Sequence, residues 1–478
     1  MPRSLASPPV APVTSGKASA LVAVLAAAGI VVSLQQTVVV PLVPLFPDLL
    51  GADPADTAWI VTATLLAGAV AVPVVGRFAD MVGKRRMLLV CLGVLVAGSV
   101  VAAASSSLIP LVAGRALQGL AAGVVPLGIS LMRDLLPADR VGSATAAMSA
   151  SLGVGGALGL PLSALIVQVA DWHTLFWAAA VLGAVVTGLV AVLVPESPQR
   201  AGGRFDLPGA LLLAVALVGL LLAVSKGGDW GWTGPLTLSL AVVAVVALAG
   251  FGLRELRTPD PLIDLRVSRR RPLLLTNLAS AAFGFSMFAM SLVFPQLLQL
   301  PAGTGYGLGQ SILVAGLVLA PGGLCMMGMS PVSARISARY GPRTTLMTGA
   351  VVVAAGYGLG ATWHAAVWEL LASSVVISAG VGLAYGAMPA LVMAAVPVTQ
   401  TAAANGLNNL MRSIGLSTAG AVAGVLLARM TAVSPGGAVV PSETAFELVM
   451  LLGAGAALVA MGVTACIPHS RPLTEDLS

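Results

Sequence analysis

The chain has 478 residues, of which 58% are hydrophobic and only 9% charged, with a net charge of +6 and a mean hydropathy of +1.00. A water-soluble globule carries roughly 25% charged residues, so composition excludes one. The apolar stretches run for about 20 residues without alternation, which excludes a transmembrane barrel and leaves an all-α integral membrane protein.

The first nineteen residues are rich in Pro, Ser and Ala, with Arg3 and Lys17, and read as a disordered cytoplasmic tail. The hydrophobic segment that follows is too long for a signal-peptide core, so it is read as the first span. Fourteen spans are predicted, near 20–46, 58–76, 87–104, 108–131, 142–167, 172–194, 208–224, 235–253, 272–298, 310–333, 345–362, 367–394, 402–430 and 444–466. An even count puts both termini on one side of the bilayer. With that count almost every Lys and Arg falls on the side of the termini, and only Lys226 and Arg429 fall opposite. Short basic segments mark the cytoplasm, so both termini are expected there, in the cell membrane. The bases are thereby explained by topology, and no aromatic-basic motif points to nucleic acid.

Cys91, Cys325 and Cys466 stand in apolar stretches without paired spacing, and His173, His364 and His469 are far apart. Neither a disulfide framework nor a metal site is expected. No nucleophile–base constellation suggests an enzyme, and no cofactor is expected.

Between the second and third spans lies Gly76-Arg77-Phe78-Ala79-Asp80-Met81-Val82-Gly83-Lys84-Arg85-Arg86. Gly76 and Gly83 permit tight backbone. Asp80 is the one acid among Arg77, Lys84, Arg85 and Arg86, able to pair with a neighbouring base or to face the positive N-terminal end of another helix. The spacing G-x-x-x-D-x-x-G-x-R-R resembles the loop between helices 2 and 3 of the major facilitator superfamily. In that family the loop locks the cytoplasmic side in one state of the transport cycle.

An internal repeat supports the resemblance. Pro73-x-x-Gly76-Arg77 recurs as Pro331-x-x-Ala334-Arg335, and the stretch Gln118–Pro126 recurs as Val381–Pro389. Two matches at nearly one offset argue for two pseudo-symmetric six-helix halves, 20–200 and 272–468. Residues 201–254 then form a two-helix insertion, 255–271 a cytoplasmic linker, and 469–478 a second tail. Ala338 stands where the first copy has Asp80.

Arg115 and Arg412 are the only charges deep inside predicted spans, where a charge must face protein or water. Gly114-Arg115-Ala116-Leu117-Gln118-Gly119 resembles the family's fourth-span motif R-x-x-Q-G, which implies a coupling role for Arg115, Gln118 and Gly119. The alternative for Arg115 is an arginine that ties helix carbonyls together. Gln35 and Gln36 reach a similar depth and are either cavity neighbours or interhelical glue. Asn277, Phe283 and Met287 of the ninth span, with Asn408, Asn409 and Arg412 of the thirteenth, are candidate pathway residues; packing is the alternative for the apolar ones. Gly155 and Gly159 provide close helix approach. They resemble an antiporter motif, but Pro161 stands one place late and Ser163 and Ala164 replace its last two glycines.

The resemblance covers nearly the whole chain and implies the fourteen-span drug/proton antiporter branch. It implies a monomeric exporter of drugs or antibiotics that works by alternating access, with protons as the coupling ion. One departure matters. Where that branch commonly has an aspartate in its first span, this chain has Gln35, and no Asp or Glu lies deep in any predicted span. The alternative is a facilitator or importer of a small metabolite without proton antiport. A sensor or scaffold is a third reading, against which the polar spans speak. With Arg115 and Arg412 as the buried charges, neutral or anionic amphipathic substrates are expected.

Overall fold

The computed structural model describes residues 15–39, 42, 45–200, 202–434, 437 and 439–468. Most of the N-terminal tail and all of 469–478 lie outside them. Among the described residues fourteen helices are long and apolar enough to cross a membrane. They are α1 Gly16–Thr37, α2 Trp59–Val82, α3 Lys84–Ala103, α4 Leu108–Leu135, α5 Ala138–Val167, α6 His173–Leu193, α7 Leu207–Val224, α8 Pro235–Glu255, α9 Arg271–Gln299, α10 Ile312–Tyr340, α11 Pro342–Thr362, α12 Val367–Ala395, α13 Thr401–Arg429 and α14 Glu443–Ala465. Successive helices alternate in direction, so the basic segments gather at one end. A two-stranded antiparallel hairpin, β1 Thr431–Val433 and β2 Val439–Pro441, joins α13 to α14 at the opposite end.

The spans match the expected fourteen, with shifted ends. The first was expected to reach about residue 46, yet α1 ends at Thr37 and a separate short helix begins at Phe46. Pro47, which lacks the backbone donor that a helix interior needs, stands at the start of that second helix, where no donor is required. In α4 a 3₁₀ turn at Ala121–Gly123 precedes Pro126, whose ring would clash with the carbonyl one turn earlier.

The buried core falls into groups. One draws on α9–α14, with Phe283, Phe294, Tyr357, Ile377 and Phe446 fully buried. A second draws mainly on α1–α6, and a third closes the opposite end of those helices around Phe46, Trp172 and Phe176. The two sets meet where α2 packs on α13, and where α5 packs on α10 and α12. A Cβ on Gly76 would lie 3.0 Å from the Ala402 carbonyl oxygen, so that meeting depends on a residue without a side chain. α7 and α8 pair with each other, and α7 lies against α2 and α13. Leu213 and Leu217 of α7 are buried there with Leu410, and Phe205 stacks on Phe78 at 4.0 Å between ring centres.

Gly155 and Gly159 bring α5 against α1. A Cβ on Gly155 would come within 2.5 Å of the Ile30 carbonyl oxygen, and Thr37 donates from its hydroxyl to the Gly155 carbonyl at 3.3 Å. Pro161 faces the other way, with its ring 3.1 Å from where a Cβ on Gly316 of α10 would sit.

Candidate functional site

At the basic end α2 ends at Val82 and α3 begins at Lys84. Gly83 between them has φ of +129°, a conformation that L side chains avoid. The turn is tight enough to bring Asp80 and Lys84 together inside the protein, with side chains 1% and 0% exposed. Asp80 Oδ1 lies 3.8 Å from Lys84 Nζ. Its carboxylate also accepts the backbone N–H groups of Ala402 at 3.4 Å and Ala403 at 3.0 Å. These are orphan donors in the first turn of α13, where the helix dipole also favours an anion. Lys84 Nζ donates to Asp134 Oδ2 at 2.6 Å and to Thr401 Oγ1 at 3.4 Å. Ser197 Oγ donates to the same Asp134 oxygen at 2.5 Å.

Arg85 and Arg86 turn towards Glu196 instead. Arg85 donates its backbone N–H to Glu196 at 3.0 Å and its guanidinium to the Ala191 carbonyl at 2.5 Å. Arg86 Nε stands 3.9 Å from Glu196 and its side chain is 64% exposed. Arg77 is buried, lines a cavity of about 280 Å³ with Asp80, Arg200, Asp260 and Asp264, and its Nε has no hydrogen-bond partner among the described residues.

A second polar cluster is sealed within α1–α4. Arg115 is 1% exposed. Its Nε donates to the Ile60 carbonyl at 3.1 Å, and its Nη1 donates to the Gln35 carbonyl at 2.8 Å and to Gln118 Oε1 at 2.7 Å. The Gln118 and Gln35 amides both donate to Ser99 Oγ, at 3.0 and 3.1 Å. A Cβ on Gly119 would press on the Thr64 backbone of α2. Gln36, one residue further along α1, is exposed.

A third cluster lies between the two sets of helices, halfway along α13. Arg412 is eleven residues into that helix, about 16 Å from its start at 1.5 Å per residue. Its Nη2 donates to Asn409 Oδ1, and its guanidinium lies over the Tyr385 ring, 4.9 Å from the centre. Tyr385 is buried and its hydroxyl donates to Met287 Sδ at 3.5 Å. Asn408 donates to Asn277 Oδ1 at 3.0 Å and accepts from Ser280 at 3.3 Å. Val125, Pro126, Ser149, Tyr385, Asn408 and Arg412 are among the residues lining a cavity of about 20 Å³, room for about one water molecule. Phe283 is fully buried in the α9–α14 core instead.

The sequence matches a family model described as the Major Facilitator Superfamily over residues 25–420 and again over 285–476. The chain belongs to that superfamily. The tetracenomycin C resistance and export protein of Streptomyces glaucescens is 31% identical over 404 residues, 83% of this chain and 73% of that protein. The putative multidrug resistance protein MdtD of Escherichia coli is 29% identical over 399 residues, 83% of each chain. The multidrug resistance protein Stp of Mycobacterium tuberculosis is 28% identical over 373 residues, 77% of this chain and 68% of that one. A crystal structure of the human organic anion transporter MFSD10 superposes with a TM-score of 0.65 at 17% identity, covering 94% of this chain and 99% of that one, which is a likeness of fold.

As a major facilitator this chain is a multi-pass membrane transporter and not an enzyme. The structure puts the expected coupling and pathway residues of this transporter in two places: Gln35, Arg115 and Gln118 within α1–α4, and Asn277, Asn408, Asn409 and Arg412 at the boundary. Asp134, Ser197, Glu196 and Tyr385 join these sites without having been singled out in the sequence.

Proposed function

We propose that this major facilitator exports neutral or anionic amphipathic small molecules by alternating access in the plasma membrane, with both termini in the cytoplasm. The observation that carries this reading is the latch at the basic end. Asp80, Lys84, Asp134 and Thr401 join α2, α3 and α4 to the first turn of α13, across the boundary between the two sets of helices. The basic-segment asymmetry supports a cytoplasmic location for that end. A latch there holds the cytoplasmic side closed, and export requires it to open for loading.

Arg412, Tyr385, Asn408 and Asn409 form the substrate site in this reading. A half-buried guanidinium over an aromatic ring suits anions and polar neutral groups more than cations. The names of the relatives support drug or antibiotic cargo, with the proton gradient as the energy source.

A facilitator without proton antiport is the second reading. One observation favours it: among the described residues neither the Arg115 cluster nor the Arg412 cluster contains a carboxylate. Everted vesicles with an imposed pH gradient separate the two. Gradient-dependent accumulation of a neutral fluorescent drug, lost in Arg412→Ala, supports antiport through this site. Equilibration indifferent to the gradient supports the facilitator.

A further inference from the structure

At the end opposite the latch, three side chains converge that no transport step above uses. His364 stands in the loop between α11 and α12 and is 8% exposed. Glu443 and Glu447 lie in the first two turns of α14. One ligand atom from each residue falls within 4.8 Å of the others. The sequence alone gave no metal-binding spacing, because His364 and Glu443 are 79 positions apart.

The hydrogen bonds decide what the imidazole can do. His364 Nδ1 faces the Gly360 carbonyl at 3.1 Å. A carbonyl only accepts, so Nδ1 carries the proton and donates it. In the neutral ring Nε2 is then a bare lone pair. It faces Glu443 Oε1 at 3.0 Å, and a carboxylate also only accepts. Two acceptors at that distance need a cation between them. A proton would serve those two atoms and leave the third aside.

Glu447 supplies the argument for more than a proton. It lies one turn after Glu443, on the same face of α14, where two like charges repel each other. Glu443 is in the first turn, where the helix dipole favours an anion, but Glu447 is beyond that reach. A histidine whose far nitrogen is fixed by a backbone carbonyl, with its near nitrogen free for a ligand, is the arrangement metal sites use. A tetrahedral zinc holds its ligand atoms roughly 3.3 Å apart, close to the His364–Glu443 separation. Tyr306 lies near Glu443. Its hydroxyl is turned towards the Pro441 carbonyl, to which it donates at 2.5 Å.

We propose that His364, Glu443 and Glu447 bind one divalent transition-metal ion, with Zn²⁺ the best match to one imidazole and two carboxylates. The ion ties the α11–α12 loop to the start of α14 at the outer face of the transporter. Three protein ligands leave a fourth position for water. The inference stands on these residues alone and does not depend on the cargo or its coupling ion.

The test uses full-length, tag-free protein in detergent, stripped with a chelator and titrated with Zn²⁺ against a chromophoric indicator. One Zn²⁺ per chain is expected in the wild type, with affinity at least tenfold weaker in both His364→Ala and Glu447→Gln. Zn²⁺ should raise the thermal midpoint of the wild type and not of the variants. Glu447→Gln leaves the His364–Gly360 hydrogen bond in place, so it guards against a folding artefact in His364→Ala. Equal Zn²⁺ affinity in all three proteins, or no saturable binding in the wild type, would overturn the proposal. So would a wild-type midpoint that ignores Zn²⁺.

Discussion

Asp80 Oδ2 accepts the backbone N–H of Ala403 at 3.0 Å, a bond from the end of α2 to the first turn of α13, more than 300 positions later. The same carboxylate lies 3.8 Å from Lys84, which itself reaches Asp134 and Thr401. One acid thus holds a helix terminus and a buried cation together.

Breaking a buried ion pair by removing one partner costs about 3–5 kcal/mol. Only the part specific to the latched conformation acts on its population. Asp80→Asn keeps the size but loses the charge. We expect it to open the basic end, measured with Thr399→Cys, a residue lining the cavity beside Asp80, in a Cys466→Ser background. Maleimide should label purified Asp80→Asn protein roughly tenfold faster, equivalent to about 1.4 kcal/mol. Equal labelling rates would remove the latch from the mechanism.

Arg115 is held differently. Its guanidinium satisfies two helix carbonyls and one amide oxygen in a sealed space. Arg115→Ala removes that donor; the Ile60 carbonyl still accepts from Thr64 Oγ1, whereas Gln118 Oε1 is left buried without it, at about 1–3 kcal/mol. Arg115→Lys cannot reproduce the planar fork. Both variants should lower the thermal midpoint in detergent by several degrees, with Lys the milder. A wild-type midpoint combined with lost transport would instead mark Arg115 as a residue of the coupling step.

The number and placement of spans were legible because each needs about 20 apolar residues and little else. The end of α1 was not, since a hydrophobic run continues through Pro41, Pro44 and Pro47 after the helix has stopped. The sequence offered Asp80 a choice between a neighbouring base and a helix N-terminus, and the structure gives it Lys84 and the start of α13. It could not name Asp134 or Glu196, because acids at span ends read as ordinary loop charges until the fold brings them to Lys84 and Arg85. Nor could it show how differently Arg115 and Arg412 are enclosed. Each is the one charge deep in its predicted span, and only packing shows Arg115 enclosed by α1–α4 and Arg412 at the boundary beside Tyr385.

That position gives Arg412 a distinct mutational signature. A cation over an aromatic face contributes about 0.5–2 kcal/mol. Tyr385→Phe keeps the ring and loses the contact with Met287, so transport should stay within about threefold of wild type on that scale. Tyr385→Leu removes the ring's face and should raise the half-saturating concentration of an anionic substrate by roughly tenfold on the same scale. Arg412→Ala should abolish its uptake into everted vesicles while leaving the thermal midpoint within about a degree or two, the shift expected for under 1 kcal/mol. An Arg412→Ala protein that still transports the anion would exclude this cluster as the binding site.

The insertion offers a test by pH. Asp206 caps the start of α7, accepting the Gly209 N–H at 3.1 Å, and receives Arg254 of α8 on both oxygens at 2.8 and 3.0 Å. Burial alone would raise its pKa, but the Arg254 hydrogen bonds, the Gly209 N–H and the Arg254 charge outweigh it, so the carboxyl is held below its ordinary 3.8. With the folded value depressed, the unfolded chain takes up the proton first as pH falls. The stabilising contribution is therefore complete above the ordinary value and is lost as pH drops through the folded one. Asp206→Asn should lower the thermal midpoint by a similar amount at pH 7 and pH 5, with the gap from wild type closing only below about pH 4. A gap that closes between pH 7 and pH 5 would mean that Asp206 is not held ionised by Arg254, and that the α7–α8 pair is clasped by apolar contact alone.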